Sequence, residues 1–169
     1  MPAFLNKGNI KFEQRKFDEA VQSYSRALEL EAKQEKTLVA RGLAYIQLKQ
    51  HKKAINDFIL AIELNPDSYL AYNYRGLTYS KLKEYDKAIN DFNNVLKFKP
   101  DFFDAYNNRG IAHFVMKDYN AAVEDYTKGI ALNSKLSTLY FNRANALYYL
   151  KAFADSLLDF DKAIELDPN

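Results

Sequence analysis

Residues 35–68, EKTLVARGLAYIQLKQHKKAINDFILAIELNPDS, contain two segments in which apolar residues recur at intervals of three and four. In the second segment these residues are Ala54, Ile55, Phe58, Ala61 and Ile62. This is the period of an α-helix, whereas a strand would alternate at every second residue. Pro66 follows the second segment and should end it, because proline lacks an amide hydrogen and clashes with the preceding turn. The stretch therefore predicts a pair of helices.

The same pattern recurs every 34 residues, and a residue's position within its copy is called its place below. Place 8 holds Gly8, Gly42, Gly76, Gly110 and Ala144; place 20 holds Ala20, Ala54, Ala88, Ala122 and Ser156; place 24 holds Tyr24, Phe58, Phe92, Tyr126 and Phe160. Small residues at places 8 and 20 would let two helices approach closely, with the aromatic ring filling the space beside them. We predict ten helices, no strand and a single domain, 1–169, with copies at about 1–34, 35–68, 69–102, 103–136 and 137–169.

Second helices should begin near polar residues at place 18. Asp18, Asp86 and Asn120 stand there, and each side chain could accept hydrogen bonds from free amides of the first turn. Pro100 and Pro168 should end second helices as Pro66 does.

A period of 34 with an apolar or aromatic residue at place 4, glycine at 8, tyrosine at 11, alanine at 20, an aromatic at 24 and proline at 32 resembles the tetratricopeptide repeat. The resemblance implies an all-α fold, a right-handed superhelical solenoid of antiparallel helix pairs, and a protein-interaction module without catalytic activity. The chain departs from the family at place 15, where lysine replaces a frequent glycine, and at Ala32 and Ser134, which replace the proline. Pentatricopeptide repeats, which read RNA, have a longer period, so nucleic acid is not favoured as a partner.

A second recurring pair joins arginine at place 7 to aspartate at place 23. The arginines are Arg41, Arg75, Arg109 and Arg143, and the aspartates are Asp57, Asp91, Asp125 and Asp159. Charges at half-buried helix contacts are costly unless they are paired, so we predict ion pairs between packed helices. The first copy has Lys7 and Ser23 instead, which favours pairing inside each copy over pairing between neighbours.

Composition and motifs give no support to catalysis, a cofactor or a metal site. The chain lacks cysteine, and its net charge is only +2. No phosphate loop, nucleophile elbow, paired-histidine metal motif or calcium loop occurs. His51 and His113 stand where other copies have aromatic residues, so a structural role is predicted for both. No apolar run is long enough for a membrane span, and we expect a soluble protein in the cytoplasm.

Places 2, 5, 6, 9, 12 and 13 share one face of each first helix, and the resemblance assigns this face to a concave groove. Only four of these thirty positions are charged: Glu13, Lys36, Lys81 and Asp104. Asparagine is enriched there, and its amide can bond the main chain of an extended peptide. The predicted peptide-binding residues are Asn73, Tyr74, Leu77, Asn107, Asn108, Ile111, Phe114, Phe141, Asn142, Asn145, Tyr148 and Tyr149.

Two alternatives to peptide binding in the groove stay open. Some asparagines could brace neighbouring first helices instead, and the chain could be an assembly module whose contacts are helix faces or repeat ends. The clamp with which some family members hold the carboxylate end of chaperone tails is absent, because Asn9 is followed by Ala40, Leu70 and Tyr74 at the later clamp positions.

The last helix lacks an obvious cover in the sequence. Its apolar residues Leu157, Leu158, Phe160 and Ile164 would have no following helix to bury part of their surface. We expect either a longer protein whose next helix covers this face or end-to-end packing of copies that forms a homo-oligomer.

Overall fold

The computed structural model describes residues 2–168, and in this range it contains ten helices and no strand. The helices are α1 (Pro2–Glu13), α2 (Phe17–Leu30), α3 (Glu35–Gln47), α4 (His51–Leu64), α5 (Tyr69–Lys81), α6 (Tyr85–Phe98), α7 (Phe103–Val115), α8 (Tyr119–Leu132), α9 (Ser137–Tyr149) and α10 (Phe153–Leu166). The all-α prediction is confirmed, and α4 and α6 end just before Pro66 and Pro100 as expected.

The described helices form two compact units, one up to Leu82 and the other from Lys83 onward. In the first unit α1 packs on α2, α3 on both α2 and α4, and α5 on α4. In the second unit α7 packs on α6 and α8, and α9 packs on α8 and α10. Within each unit, successive helices therefore contact one another, as stacked helix pairs do. The expectation that both units belong to one domain stays a prediction.

Glycine at place 8 is required by the ring at place 24. A Cβ on Gly110 would lie 2.6 Å from Cε1 of Tyr126, and one on Gly42 would lie 2.5 Å from Cε1 of Phe58. Both rings are almost completely buried. The predicted close approach of the two helices is thus confirmed, and it leaves no room for a side chain at this place.

The fifth copy departs from this arrangement. Ala144 supplies the Cβ that the glycines lack, and Phe160 is only half-buried, whereas the corresponding rings of the other copies are buried. The ring of Phe160 lies edge-on to that of Phe141, with 5.8 Å between their centroids. The last aromatic ring of the repeat pattern is therefore accessible from outside.

The turn inside each copy places a basic residue in the left-handed region. The φ angles are 58° at Arg15, 58° at Lys49, 63° at Lys83, 66° at Lys117 and 61° at Lys151. Glycine adopts this conformation without strain, which explains its frequency here in related repeats. A cation just beyond the end of the first helix interacts favourably with the helix dipole and offsets part of the strain.

The capping prediction for the second helices was wrong. The N-cap residues of α2, α6 and α8 are Lys16, Glu84 and Asp118, two residues before the predicted ones, so Asp18, Asp86 and Asn120 lie within the first turn. The residue before α8 is Asp118, whose Oδ1 accepts a hydrogen bond from the amide of Ala121 at 3.2 Å. The aromatic residue at place 17 is the first helical residue. Its ring packs on the preceding helix, as Tyr119 does on Phe114 of α7.

Candidate functional site

The arginines at place 7 are structural. Arg41, Arg109 and Arg143 each donate two hydrogen bonds, from Nε and Nη2, to the aspartate of the same copy. The bond to Asp57 raises the pKa of Arg41 above its usual value, and Asp159 does the same for Arg143. For these three copies the predicted pairing inside each copy is confirmed. Because the guanidinium groups are bonded to aspartates, they are not free to bind a ligand.

Helices α7 and α9 bring nine of the predicted groove residues together in the second unit. This face, called the α7–α9 surface below, carries Asn107, Asn108, Ile111, Phe114, Phe141, Asn142, Asn145, Tyr148 and Tyr149. Ile111 and Phe141 are exposed, while Asn107, Asn108 and Asn142 are half-buried. The surface thus combines accessible apolar side chains with partly desolvated amides, which is the usual composition of a binding site.

Two asparagines of this surface are bonded to each other. Nδ2 of Asn142 on α9 donates to Oδ1 of Asn107 on α7 at 3.0 Å. The alternative that asparagines brace neighbouring first helices is correct for this pair. Each amide uses only one of its two polar groups in the brace, so the pair still offers the amide hydrogens of Asn107 and the carbonyl oxygen of Asn142. Asn145 is also engaged, because its Nδ2 donates to the carbonyl oxygen of Phe141 at 2.8 Å.

Two adjoining pockets meet at Asn142 of the braced pair. The larger, of about 660 Å³, lies between α7, α9 and α10 and includes Asn107, Phe160 and Ile164 in its lining. The smaller, of about 470 Å³, extends toward Phe114 and Tyr149. Ile111, Phe141 and Asn142 line both pockets and separate them. Volumes of this size are typical of small-ligand or side-chain sites.

An aromatic cluster forms one end of the α7–α9 surface. Tyr149 stacks on Tyr119 with ring centroids 4.9 Å apart, and Phe114 contacts both rings edge-on. Tyr148 joins Tyr149 to Phe153. Tyr148 and Tyr149 are nevertheless each 56% exposed. These rings are held in place by one another and still present apolar area to a partner.

Three predicted groove residues lie on α5 in the first unit and are less accessible. Asn73 is buried, and its Oδ1 has no hydrogen-bond partner among residues 2–168. Tyr74 stacks on Phe58 with ring centroids 6.2 Å apart, and Leu77 is half-buried. Their membership of a binding surface stays a prediction.

Sequence reasoning missed Tyr119, Phe153, Phe160 and Ile164 as parts of this region, because it assigned the second helices to the core or to the chain end. The signal was available for Phe160, since Ala144 breaks the glycine pattern directly opposite it. The histidines are packed as predicted: His113 is half-buried, with Nδ1 3.9 Å from Asp118 and Nε2 4.0 Å from Asp125.

Residues 2–168 contain no group of three or more histidine, aspartate or glutamate side chains that could hold a metal ion. In the same range no helix has both the length and the apolar character needed to cross a bilayer.

Helix pairs that recur at a fixed interval and pack on one another define a helical-repeat protein. A model of the tetratricopeptide repeat matches residues 2–33, 36–68, 69–102, 103–136 and 137–169. The chain belongs to the tetratricopeptide repeat family, whose members are typically non-catalytic modules that interact with proteins or peptides. A comparison with the sequences of curated proteins found no match.

Solved structures with the same fold include three that cover nearly the whole chain. A crystal structure of MamA is 23% identical over 95% of this chain and 94% of its own, with a TM-score of 0.91. MamA from Desulfovibrio magneticus is 18% identical over 99% and 94%, with a TM-score of 0.92. YrrB, a tetratricopeptide protein with an unusual peptide-binding site, is 17% identical over 98% and 86%, with a TM-score of 0.84. At these identities the likeness establishes the fold.

Proposed function

We propose that this chain is a non-catalytic adaptor that binds an extended peptide, or an extended segment of a partner protein, on the α7–α9 surface. The observation that carries the proposal is the braced pair of Asn107 and Asn142, whose Asn142 lines two adjoining pockets. The peptide-binding site of YrrB, which has the same fold, supports it.

The hydrogen bond between Asn107 and Asn142 fixes the orientation of both side-chain amides, so that their remaining polar groups can bond a peptide backbone. A peptide carbonyl accepts from Nδ2 of Asn107, and a peptide amide donates to Oδ1 of Asn142, so each bound peptide unit is read without regard to its side chain. Each such bond contributes roughly 0.5–1.5 kcal/mol. An apolar ligand side chain buried between Phe141 and Ile111 adds roughly 1.5–3 kcal/mol, which together is enough for micromolar binding.

The proposal is tested with a peptide selected from a random library displayed against the chain. Its affinity is then measured by calorimetry for the native chain and for Asn107→Ala, Asn142→Ala and Phe141→Ala. The two asparagine changes together should weaken binding by about 1–3 kcal/mol if both bond the ligand. Phe141→Ala should weaken it by a similar amount through lost apolar contact.

Matched controls are Asn120→Ala on α8 and Leu60→Ala on α4, because both side chains are exposed and lie off the α7–α9 surface. These variants should bind like the native chain. Undiminished affinity in all three surface variants, with helicity intact by circular dichroism, means that the peptide binds elsewhere and the proposal is wrong.

A second candidate function is self-association through α10. Leu157, Leu158 and Ile164 on this helix are 64%, 68% and 61% exposed, which is unusual for three large apolar side chains on one helix. An assembly module would use this face for a second copy, and analytical ultracentrifugation of the chain over a concentration series tests it. A sedimentation coefficient that does not rise with concentration excludes this candidate.

A further inference from the structure

One hydrogen bond marks the boundary between successive copies. Nη1 of Arg41 reaches back to Oγ of Ser25 at 3.1 Å, Arg109 to Oδ1 of Asn93 at 2.6 Å and Arg143 to Oγ1 of Thr127 at 3.0 Å. Each bond joins place 7 of one copy to place 25 of the preceding copy. At these three junctions the arginine at place 7 therefore lies against place 25 of the preceding copy.

The two outermost residues of this pattern have opposite charges. In the first of the five copies place 7 is Lys7, and this copy has Ser23 where the other copies have aspartate. In the fifth copy place 25 is Asp161, whereas Ser25, Ile59, Asn93 and Thr127 fill it elsewhere. Lys7 and Asp161 are both exposed.

From these charges we propose that α1 of one molecule packs on α9 and α10 of another in the register of an internal copy boundary, with Lys7 paired to Asp161. This contact specifies the surfaces used by the self-association candidate and does not depend on peptide binding by the α7–α9 surface. Opposite charges at matched places fix the register and orientation of such a contact more than they add affinity.

The apolar side chains at both ends match the same register. At place 10, Ala44 and Ala146 are buried in clusters with residues of the preceding copy, whereas Ile10 is 58% exposed. At place 28, Leu28 is buried in a cluster with Leu38 and Val39 of the next copy. The corresponding Ile164 is exposed, and in the proposed contact it lies on Phe4 and Leu5 of the second molecule.

The contact joins two different surfaces, so each molecule keeps one free end of each kind. Heterologous contacts of this kind continue into open chains of molecules unless the geometry closes them into a ring. We therefore expect the average mass of the protein to keep rising with concentration, rather than to reach a plateau at the dimer.

Charge reversal tests the register directly. Sedimentation velocity is recorded at protein concentrations up to about 1 mM, so that association with a dissociation constant near 1 mM is still detected. Lys7→Glu alone and Asp161→Lys alone should each raise the apparent dissociation constant by about threefold to tenfold, because like charges then meet. The chain that carries both changes, and an equimolar mixture of the two single variants, should recover native association. Ile10→Asp, which buries a charge in the contact, should abolish association altogether.

Controls for net charge are Lys128→Glu and Glu124→Lys, two exposed positions on α8 away from both ends, which should associate like the native chain. Recovery in the mixture supports the proposal, and circular dichroism verifies that every variant is folded. If the chain associates but the end variants behave like the α8 controls, the proposed register is wrong although self-association stands. If the native chain is monomeric throughout, the contact and the self-association candidate both fail, whereas peptide binding is untouched.

Discussion

Arg109 and Asp125 join α7 to α8 by two parallel hydrogen bonds, Nε to Oδ2 at 2.9 Å and Nη2 to Oδ1 at 2.5 Å. The carboxylate is almost fully buried, and the guanidinium is mostly covered. We expect Asp125→Ala to lower the free energy of unfolding by about 3–5 kcal/mol, because it leaves a largely buried cation without its carboxylate. Urea denaturation followed by circular dichroism measures this change.

Two further variants show whether the loss of stability comes from breaking the Arg109–Asp125 ion pair or from removing a carboxylate at any position. Asp86→Ala removes an exposed aspartate of α6 and should change the free energy of unfolding by less than about 0.5 kcal/mol. Arg109→Met with Asp125→Leu should recover most of the lost stability, since apolar side chains of similar size need no partner. Equal losses in Asp86→Ala and Asp125→Ala would contradict the special position of the pair.

Gly110→Ala should destabilise the fold by about 1–3 kcal/mol, because the new Cβ meets the buried ring of Tyr126 and forces α7 and α8 apart. Gly129→Ala is the matched comparison. Its Cβ would lie 3.1 Å from the nearest atom of Leu139, and alanine has the better helix propensity, so this change should cost less than about 1 kcal/mol. Thermal unfolding of both variants shows which substitution destabilises the fold more. A greater loss of stability in Gly129→Ala than in Gly110→Ala would refute the prediction.

Lys117→Gly should stabilise the fold by about 0.5 kcal/mol. The φ of 66° strains lysine and not glycine, although the change also removes a favourable cation from the end of α7. Lys128→Gly, in the interior of α8, should instead destabilise by about 1 kcal/mol. Urea midpoints that move in the same direction for both variants would show that the turn is not strained.

The phenol of Tyr24 should make stability fall at high pH. Burial, with a smaller effect of Glu13, raises the pKa of Tyr24 from 10.0 to about 12. The hydroxyl also donates to Oδ1 of Asn9 at 2.9 Å. A group with a raised pKa contributes fully below its unfolded pKa, so its contribution is retained below pH 10 and lost as the pH rises toward 12.

Tyr24→Phe isolates this contribution. The free energy of unfolding of the native chain should fall more steeply between pH 10 and 12 than that of the variant, by at most about 2–3 kcal/mol over the interval. Tyr140→Phe, at a less buried ring, is the control. Parallel pH profiles for the native chain and Tyr24→Phe would mean that the phenol ionises freely in the folded protein.

The repeat pattern was enough to predict the helices and their pairing, because a glycine opposite an aromatic ring and an arginine opposite an aspartate are each constrained by one contact inside the copy. Helix starts were less predictable. Asp118 and Asn120 are both good capping residues by type, and only the packing of Tyr119 decides that α8 begins between them.

The candidate site was predictable in composition but not in its bonds. The sequence places Asn107 and Asn142 on the same face of successive first helices, and that spacing is equally compatible with a brace and with a free ligand-binding row. Whether the two side chains bond each other depends on the distance between α7 and α9, and the periodicity of the sequence does not give this distance. In the same way, the exposure of Phe160 depends on Ala144 and on what packs beside α10, and neither contact follows from apolar periodicity.

The bond between place 7 and place 25 also limits how a gene for this protein could gain or lose repeats. Tandem duplication of the fourth copy would set a second Arg109 opposite Thr127, so the new junction would carry the same hydrogen bond as the old one. Duplication of the second copy would set Arg41 opposite Ile59, which has no acceptor. The fourth copy therefore carries both partners of a junction bond, whereas the second copy carries only the arginine.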